Sequence, residues 1–179
     1  MPESKCILII DIDSLISIHS VTTENSYFAV NSFSNLLTVG GDQTLEIISE
    51  DGKVNRTFPV PGKSSSSLRC IRKRSDDSLL FTNFYDLYCI RLIDGTNLFK
   101  YSSTIEARGI AEDKYGCLYI ADKVQKNIHR IAPDGSFIGF VGQKEDVHEY
   151  PIALRFNSDY SKLYVGLSRS DKMLVFQCK

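Results

Sequence analysis

Arg108-Gly109-Ile110-Ala111-Glu112-Asp113-Lys114-Tyr115-Gly116-Cys117-Leu118-Tyr119-Ile120-Ala121-Asp122 is the stretch that decides the fold. Two short apolar runs, Arg108–Glu112 and Cys117–Ala121, flank a polar bend that ends in glycine. Runs of this length, rich in β-branched and aromatic residues and bounded by turn formers, read as strands. Downstream, Ile128–Ile131 reads as a third strand. Pro133-Asp134-Gly135 is a turn with a preset φ, a side-chain acceptor and a residue free to take positive φ, and Ser136–Val141 then supplies a fourth strand. No 3.6-residue period occurs anywhere, so the unit is all-β.

The same unit recurs along the chain. Leu118 has counterparts at Leu36, Leu79 and Leu163, with successive separations of 43, 39 and 45 residues. Asp134 has counterparts at Asp11, Asp51 and Asp94, separated by 40, 43 and 40 residues, and the last three of the four acids precede glycine. A four-strand unit repeating at about 40–45 residues is the pattern of β-propeller blades. Leu36-Leu37, Leu79-Leu80-Phe81 and Leu118-Tyr119-Ile120-Ala121 are apolar on both faces. Such strands need cover on both sides, which a blade between two neighbours receives. The predicted architecture is an all-β propeller of four-stranded antiparallel blades, about four of them present. Residues 5–21 form a half blade, 22–62, 63–104 and 105–147 a blade each, and 148–179 a blade lacking its outer strand. These strands do not divide into whole blades. The expectation is an incomplete propeller short of about two blades (about 80 residues at about 40 per blade); the alternative is a four-bladed ring with one redundant strand.

Composition excludes little. The chain is 42% hydrophobic and 24% charged with a net charge of −1, so bulk charge advertises neither a nucleic acid nor a membrane. Its longest apolar run, within Cys6–Ile12, is far too short to cross a bilayer, and Met1 is not followed by the basic and apolar regions of a signal peptide. The reading is a soluble, intracellular, cytoplasmic protein. Cys6, Cys70, Cys89, Cys117 and Cys178 are too dispersed for a disulfide framework or a zinc site, and Cys70, Cys89 and Cys117 read as small buried hydrophobes.

Residues 108–122, with Lys126-Asn127-Ile128-His129-Arg130-Ile131 and Asp134-Gly135, resemble the NHL repeat, whose units carry Gly-Ile-Ala-x-Asp, then Gly-x-Ile/Leu-Tyr-Val/Ile-Ala-Asp, Asn-x-Ile-x-x-Phe and Asp-Gly. Residues 148–179 match loosely, while the earlier blades keep the Asp-Gly turn and the apolar strands. Such units commonly form the C-terminal propeller of tripartite-motif proteins. The resemblance implies a non-catalytic protein-interaction scaffold that recruits substrates for ubiquitination. The ligase chemistry itself would sit on a RING domain, and this chain has no RING cysteine pattern. Some NHL propellers bind single-stranded RNA on a basic face, which gives a first alternative. A second is a metal-dependent hydrolase of the regucalcin or gluconolactonase type, where oxygen ligands from several blades converge on a divalent ion. The equivalent column, four residues beyond each landmark leucine, reads Gly40, Asn83, Asp122 and Leu167, which is not a ring of ligands. Asp122 reads instead as a structural acid that bonds the following turn.

No catalytic, cofactor-binding or metal-binding residue is assigned. No G-x-S-x-G occurs, the Ser64–Ser67 run reads as a connection between blades, and His19, His129 and His148 read as isolated rim or surface residues. Arg69, Arg72, Lys73 and Arg74 form the strongest charge feature, offset by Asp76 and Asp77, with Phe84, Tyr85 and Tyr88 nearby in sequence. Partner-binding candidates are Arg69, Arg72, Lys73, Arg74, Tyr85 and Lys123. The loops Arg69–Asp77, Phe84–Asp86, Lys123–Asn127 and Glu145–Tyr150 are the proposed contact regions. Successive connections alternate ends, so all four cannot share one rim. A protein is the first-choice partner, RNA the second, and no cofactor or membrane is implied.

Overall fold

The computed structural model describes residues 5–23, 25–33, 36–61, 67–102, 106–142, 147 and 149–178. Ser64–Ser66, His148 and most of the loop before Glu149 lie outside the described residues. The described chain contains strands and turns with no helix, and it divides into two compact units, Met1–Lys73 and Arg74–Lys179.

In the first unit, β1 (Cys6–Ile10) and β2 (Ser17–Thr22) form an antiparallel hairpin, and β3 (Tyr27–Phe33), β4 (Leu36–Gly41), β5 (Thr44–Ser49) and β6 (Val54–Pro59) form a four-stranded meander. β7 (Cys70–Lys73) ends the unit. Ile7 and Ile9 lie on the face of β1 that covers Val21, Val39 and Ile48, whereas Leu8 and Ile10 point the other way and are exposed. This is the two-residue alternation of a strand with one covered face.

The second unit holds β8 (Ser78–Thr82), β9 (Asp86–Arg91) and β10 (Asn97–Ser102), paired in order. β11 (Ala107–Glu112), β12 (Leu118–Asp122), β13 (Asn127–Ile131) and β14 (Phe137–Phe140) make a complete four-stranded blade. β15 (Tyr150–Phe156), β16 (Lys162–Ser168) and β17 (Met173–Gln177) make a three-stranded sheet. Every residue of β8 and of β12 is buried, as strands apolar on both faces require. Tyr119, Ala121 and Ile128 of one sheet pack with Leu154, Phe156, Leu163 and Val165 of the next. Each such fully buried aliphatic or aromatic side chain contributes about 1.5–3 kcal/mol. Gly109 lets β11 and β15 approach closely: a Cβ there would lie 3.0 Å from the Ala153 Cα and the Ile152 carbonyl oxygen.

The recurring acids are built alike. The Oδ1 atoms of Asp11, Asp51, Asp94 and Asp134 each accept from the backbone N–H two residues on, at 3.2, 3.1, 2.9 and 2.9 Å. These bonds, with hydroxyl or backbone donors from Ser14, Ser49, Thr96 and Ser136, hold all four carboxyls below the usual range. The turn period in the sequence is therefore a period of side-chain-capped hairpins.

Two readings from the sequence are revised. His129 is not a rim or surface residue: it is 3% exposed, inside β13. Its Nε2 lies 3.2 Å from Asp122 Oδ2 and its Nδ1 2.7 Å from the Tyr101 hydroxyl, with the Phe140 ring edge-on at 4.9 Å. Burial of a polar ring is tolerated because both nitrogens are bonded. Of the three cysteines read as buried, Cys89 and Cys117 are buried and Cys70 is half-buried.

Candidate binding rim

Asp122 and Asn83 occupy equivalent places and do equivalent work. Asn83 Oδ1 accepts from the amides of Tyr85 (3.0 Å) and Asp86 (2.8 Å), and Asp122 Oδ1 accepts from those of Val124 (3.0 Å) and Gln125 (2.9 Å). Each side chain is almost fully buried and caps the turn after its strand, fixing the residues at the tip. In Asp122 the second oxygen is taken by His129. Its oxygens are thus engaged within the fold, Leu167 offers no donor, and this column does not fit a divalent ion. Among the described residues no three His, Cys, Asp or Glu side chains cluster closely enough to hold a metal.

The tips so fixed meet at one end of the second unit. The Arg108 guanidinium lies 5.8 Å from the centre of the Phe84 ring, and Glu106 pairs with both Arg108 and Lys123, the latter at 3.5 Å. Lys126 Nζ stands 4.8 Å from the centre of the Tyr150 ring. A cavity of about 420 Å³ opens between Glu106, Lys123, Val124, Tyr150, Ser168 and Arg169. Tyr85 is 58% and Val124 61% exposed, and Arg169 is exposed at a turn with φ 63°. Arg169 has no ion-pair partner among the described residues.

Of the residues singled out in the sequence, the structure brings Tyr85 and Lys123 to this rim. Arg74 belongs to the opposite end: its side chain is 18% exposed, pairs with Glu112 at 3.3 Å, donates to the Pro133 carbonyl at 2.9 Å and lies 5.4 Å from the centre of the Phe99 ring. Arg69, just before β7, and Arg72 and Lys73 within it are half-buried in the first unit. Lys126 and Tyr150 fall within the loops Lys123–Asn127 and Glu145–Tyr150 read as contact regions, whereas Arg108 and Arg169 are rim residues that the sequence reading missed. A signal for Arg169 exists: six residues beyond the landmark leucines stand Asp42, Tyr85, Val124 and Arg169, every one exposed.

No family model matches the chain, and no curated protein matches it. Solved structures do. A protein of unknown function from Bacteroides caccae superposes with a TM-score of 0.77 at 15% identity over 98% of this chain and 66% of its own. The WD40 β-propeller domain of Doa1 gives 0.75 at 15% identity, covering 96% and 56%. Virginiamycin B lyase from Staphylococcus aureus gives 0.65 at 18%, covering 85% and 55%. At these identities the likeness shows the fold alone. The fold is that of an incomplete β-propeller of about four blades, and the chain spans about half to two-thirds of the length of these relatives. No helix among the described residues is long and apolar enough to cross a membrane.

Proposed function

We propose that this chain is a non-catalytic interaction scaffold whose second unit engages a protein partner through the rim bearing Tyr85, Lys123, Val124, Tyr150 and Arg169. The observation that carries the reading is that buried Asn83 and Asp122 cap exposed turns at one end of the second unit, where Lys123, Val124, Tyr150 and Arg169 line one cavity and Tyr85 projects from a neighbouring turn. Rigid strands with projecting turns lower the ordering cost of binding. Exposed aromatic and arginine side chains are those most often found to anchor interfaces. The similarity of residues 108–135 to an NHL unit supports a substrate-recruiting role of the tripartite-motif kind, with any ligase chemistry on another domain. Single-stranded RNA is the second reading, supported by the aromatic faces of Phe84, Tyr85 and Tyr150 among Arg108, Lys123 and Lys126. Affinity capture with wild type, Tyr85→Ala and Tyr115→Ala tests the proposal. Partners lost with the first variant and kept with the second support it; partners indifferent to Tyr85 refute it.

A further inference from the structure

We infer that the cavity between Lys123 and Arg169 receives a carboxylate side chain from an acidic segment of the protein partner. This deepens the rim reading and rests on it. The charged lining is Lys123, Arg169 and Glu106, with Glu149 next to Tyr150 in sequence and Lys126 over the Tyr150 ring. Glu106 is held on Oε1 by Arg108, and Lys123 reaches its other oxygen only at 3.5 Å. Lys123 can therefore turn to an incoming anion while Arg108 still neutralises Glu106. Arg169, without an ion-pair partner among the described residues, stands on the same cavity and presents the planar fork that a carboxylate accepts in two hydrogen bonds. Ser168 adds a hydroxyl donor.

Charge and shape narrow the ligand. Because Arg108 holds Glu106, Lys123 and Arg169 leave the lining an excess of positive charge, which the carboxylates of an acidic segment balance. Val124 and Tyr150 supply an apolar wall beside the cations, so an aliphatic residue adjacent to the acid finds cover there. The cavity, about 420 Å³, lies at the small end of ligand sites and admits side chains from a short segment better than a stacked base with its sugar.

The test uses the full chain and three probes followed by fluorescence anisotropy: a labelled Gly-Glu-Val-Glu-Gly peptide, its Gln counterpart and a short oligouridylate. The expected result is that the Glu peptide binds and weakens with added salt, and that the Gln peptide binds roughly tenfold or more weakly. Arg169→Gln and Lys123→Gln each weaken the Glu peptide by a similar factor without moving the melting temperature. Tyr85→Ala, outside the cavity, changes it less than about twofold. Equal binding of the Glu and Gln peptides, no binding of the Glu peptide, indifference to Arg169→Gln, or tighter binding of oligouridylate through Lys123 and Arg169 would each overturn the inference. Loss of a captured partner with Tyr85→Ala while the Glu peptide fails to bind would leave the scaffold reading intact and remove only this one.

Discussion

Replacing Asp122 by alanine is the sharpest perturbation of the frame that holds the rim. Asp122 is 0% exposed; its Oδ1 serves the Val124 and Gln125 amides and its Oδ2 serves His129, which in turn meets Tyr101. A carboxylate only accepts, so Nε2 donates to it, and in the neutral ring Nδ1 accepts from the Tyr101 hydroxyl. Alanine strands a buried imidazole N–H and two turn amides, and the turn can recover water for its amides while the ring cannot. Removing one partner of such a buried polar pair costs about 3–5 kcal/mol. Asparagine is the informative control, because Asn83 already caps the equivalent turn with its Oδ1. Asp122→Asn keeps both amide bonds, and its Nδ2 can donate to the other tautomer of His129, so it costs about 1 kcal/mol. Urea unfolding followed by tyrosine fluorescence reads the difference, since the chain has nine Tyr and no Trp. With a slope of about 2–3 kcal/mol per molar urea, Asp122→Ala lowers the midpoint by about 1–2.5 M and Asp122→Asn by less than half of that. Equal shifts for the two variants, or a shift of under about 0.3 M for alanine, would refute the assignment of Asp122 as the cap and buried partner.

Gly135 has φ +91°, and a Cβ there would meet the Phe99 ring at 2.5 Å, whereas a Cβ at Gly139 meets nothing within 4 Å. Gly135→Ala should therefore cost about 1–3 kcal/mol and Gly139→Ala almost nothing in thermal melts; equal effects would contradict the turn geometry. Arg74→Met should destabilise by about 1–3 kcal/mol through loss of the Glu112 and Pro133 bonds, and stability unchanged by the substitution would argue against a structural role for those bonds. Asp11, Asp51, Asp94, Asp134 and Asp159 have carboxyls lowered from 3.8 by hydrogen bonds in the fold. A depressed folded value contributes stability above the unfolded value and loses it as pH falls, so melting temperature should drop below about pH 4. Ser136→Ala should blunt that drop, and a chain that gains stability on acidification would argue against the capped turns.

The architecture was legible because it repeats. Asp-Gly turns and doubly apolar landmark strands are local features, and each recurs at a spacing that only the blade explains. His129 was misread because its partners are distant in sequence. Tyr101 is 28 residues and Asp122 seven residues away, so an isolated polar residue in a strand gave no hint of a satisfied buried ring. The packing of Arg74 was illegible for a related reason: its carboxylate partner, Glu112, lies 38 residues on. Tyr85, Val124 and Arg169 share one structural position yet differ in chemistry, because exposed tips are chosen by what they touch and the fold leaves them free to vary.

Photo-crosslinking from the two ends of one blade tests the central claim directly. A photoreactive residue placed at Val124 sits on the proposed rim, and one placed at Tyr115 sits at the opposite end; the two positions are 61% and 72% exposed. The account predicts a discrete protein adduct from position 124 that Arg169→Gln diminishes, and none of comparable yield from position 115. An adduct confined to position 115, or equal capture from both, would contradict it.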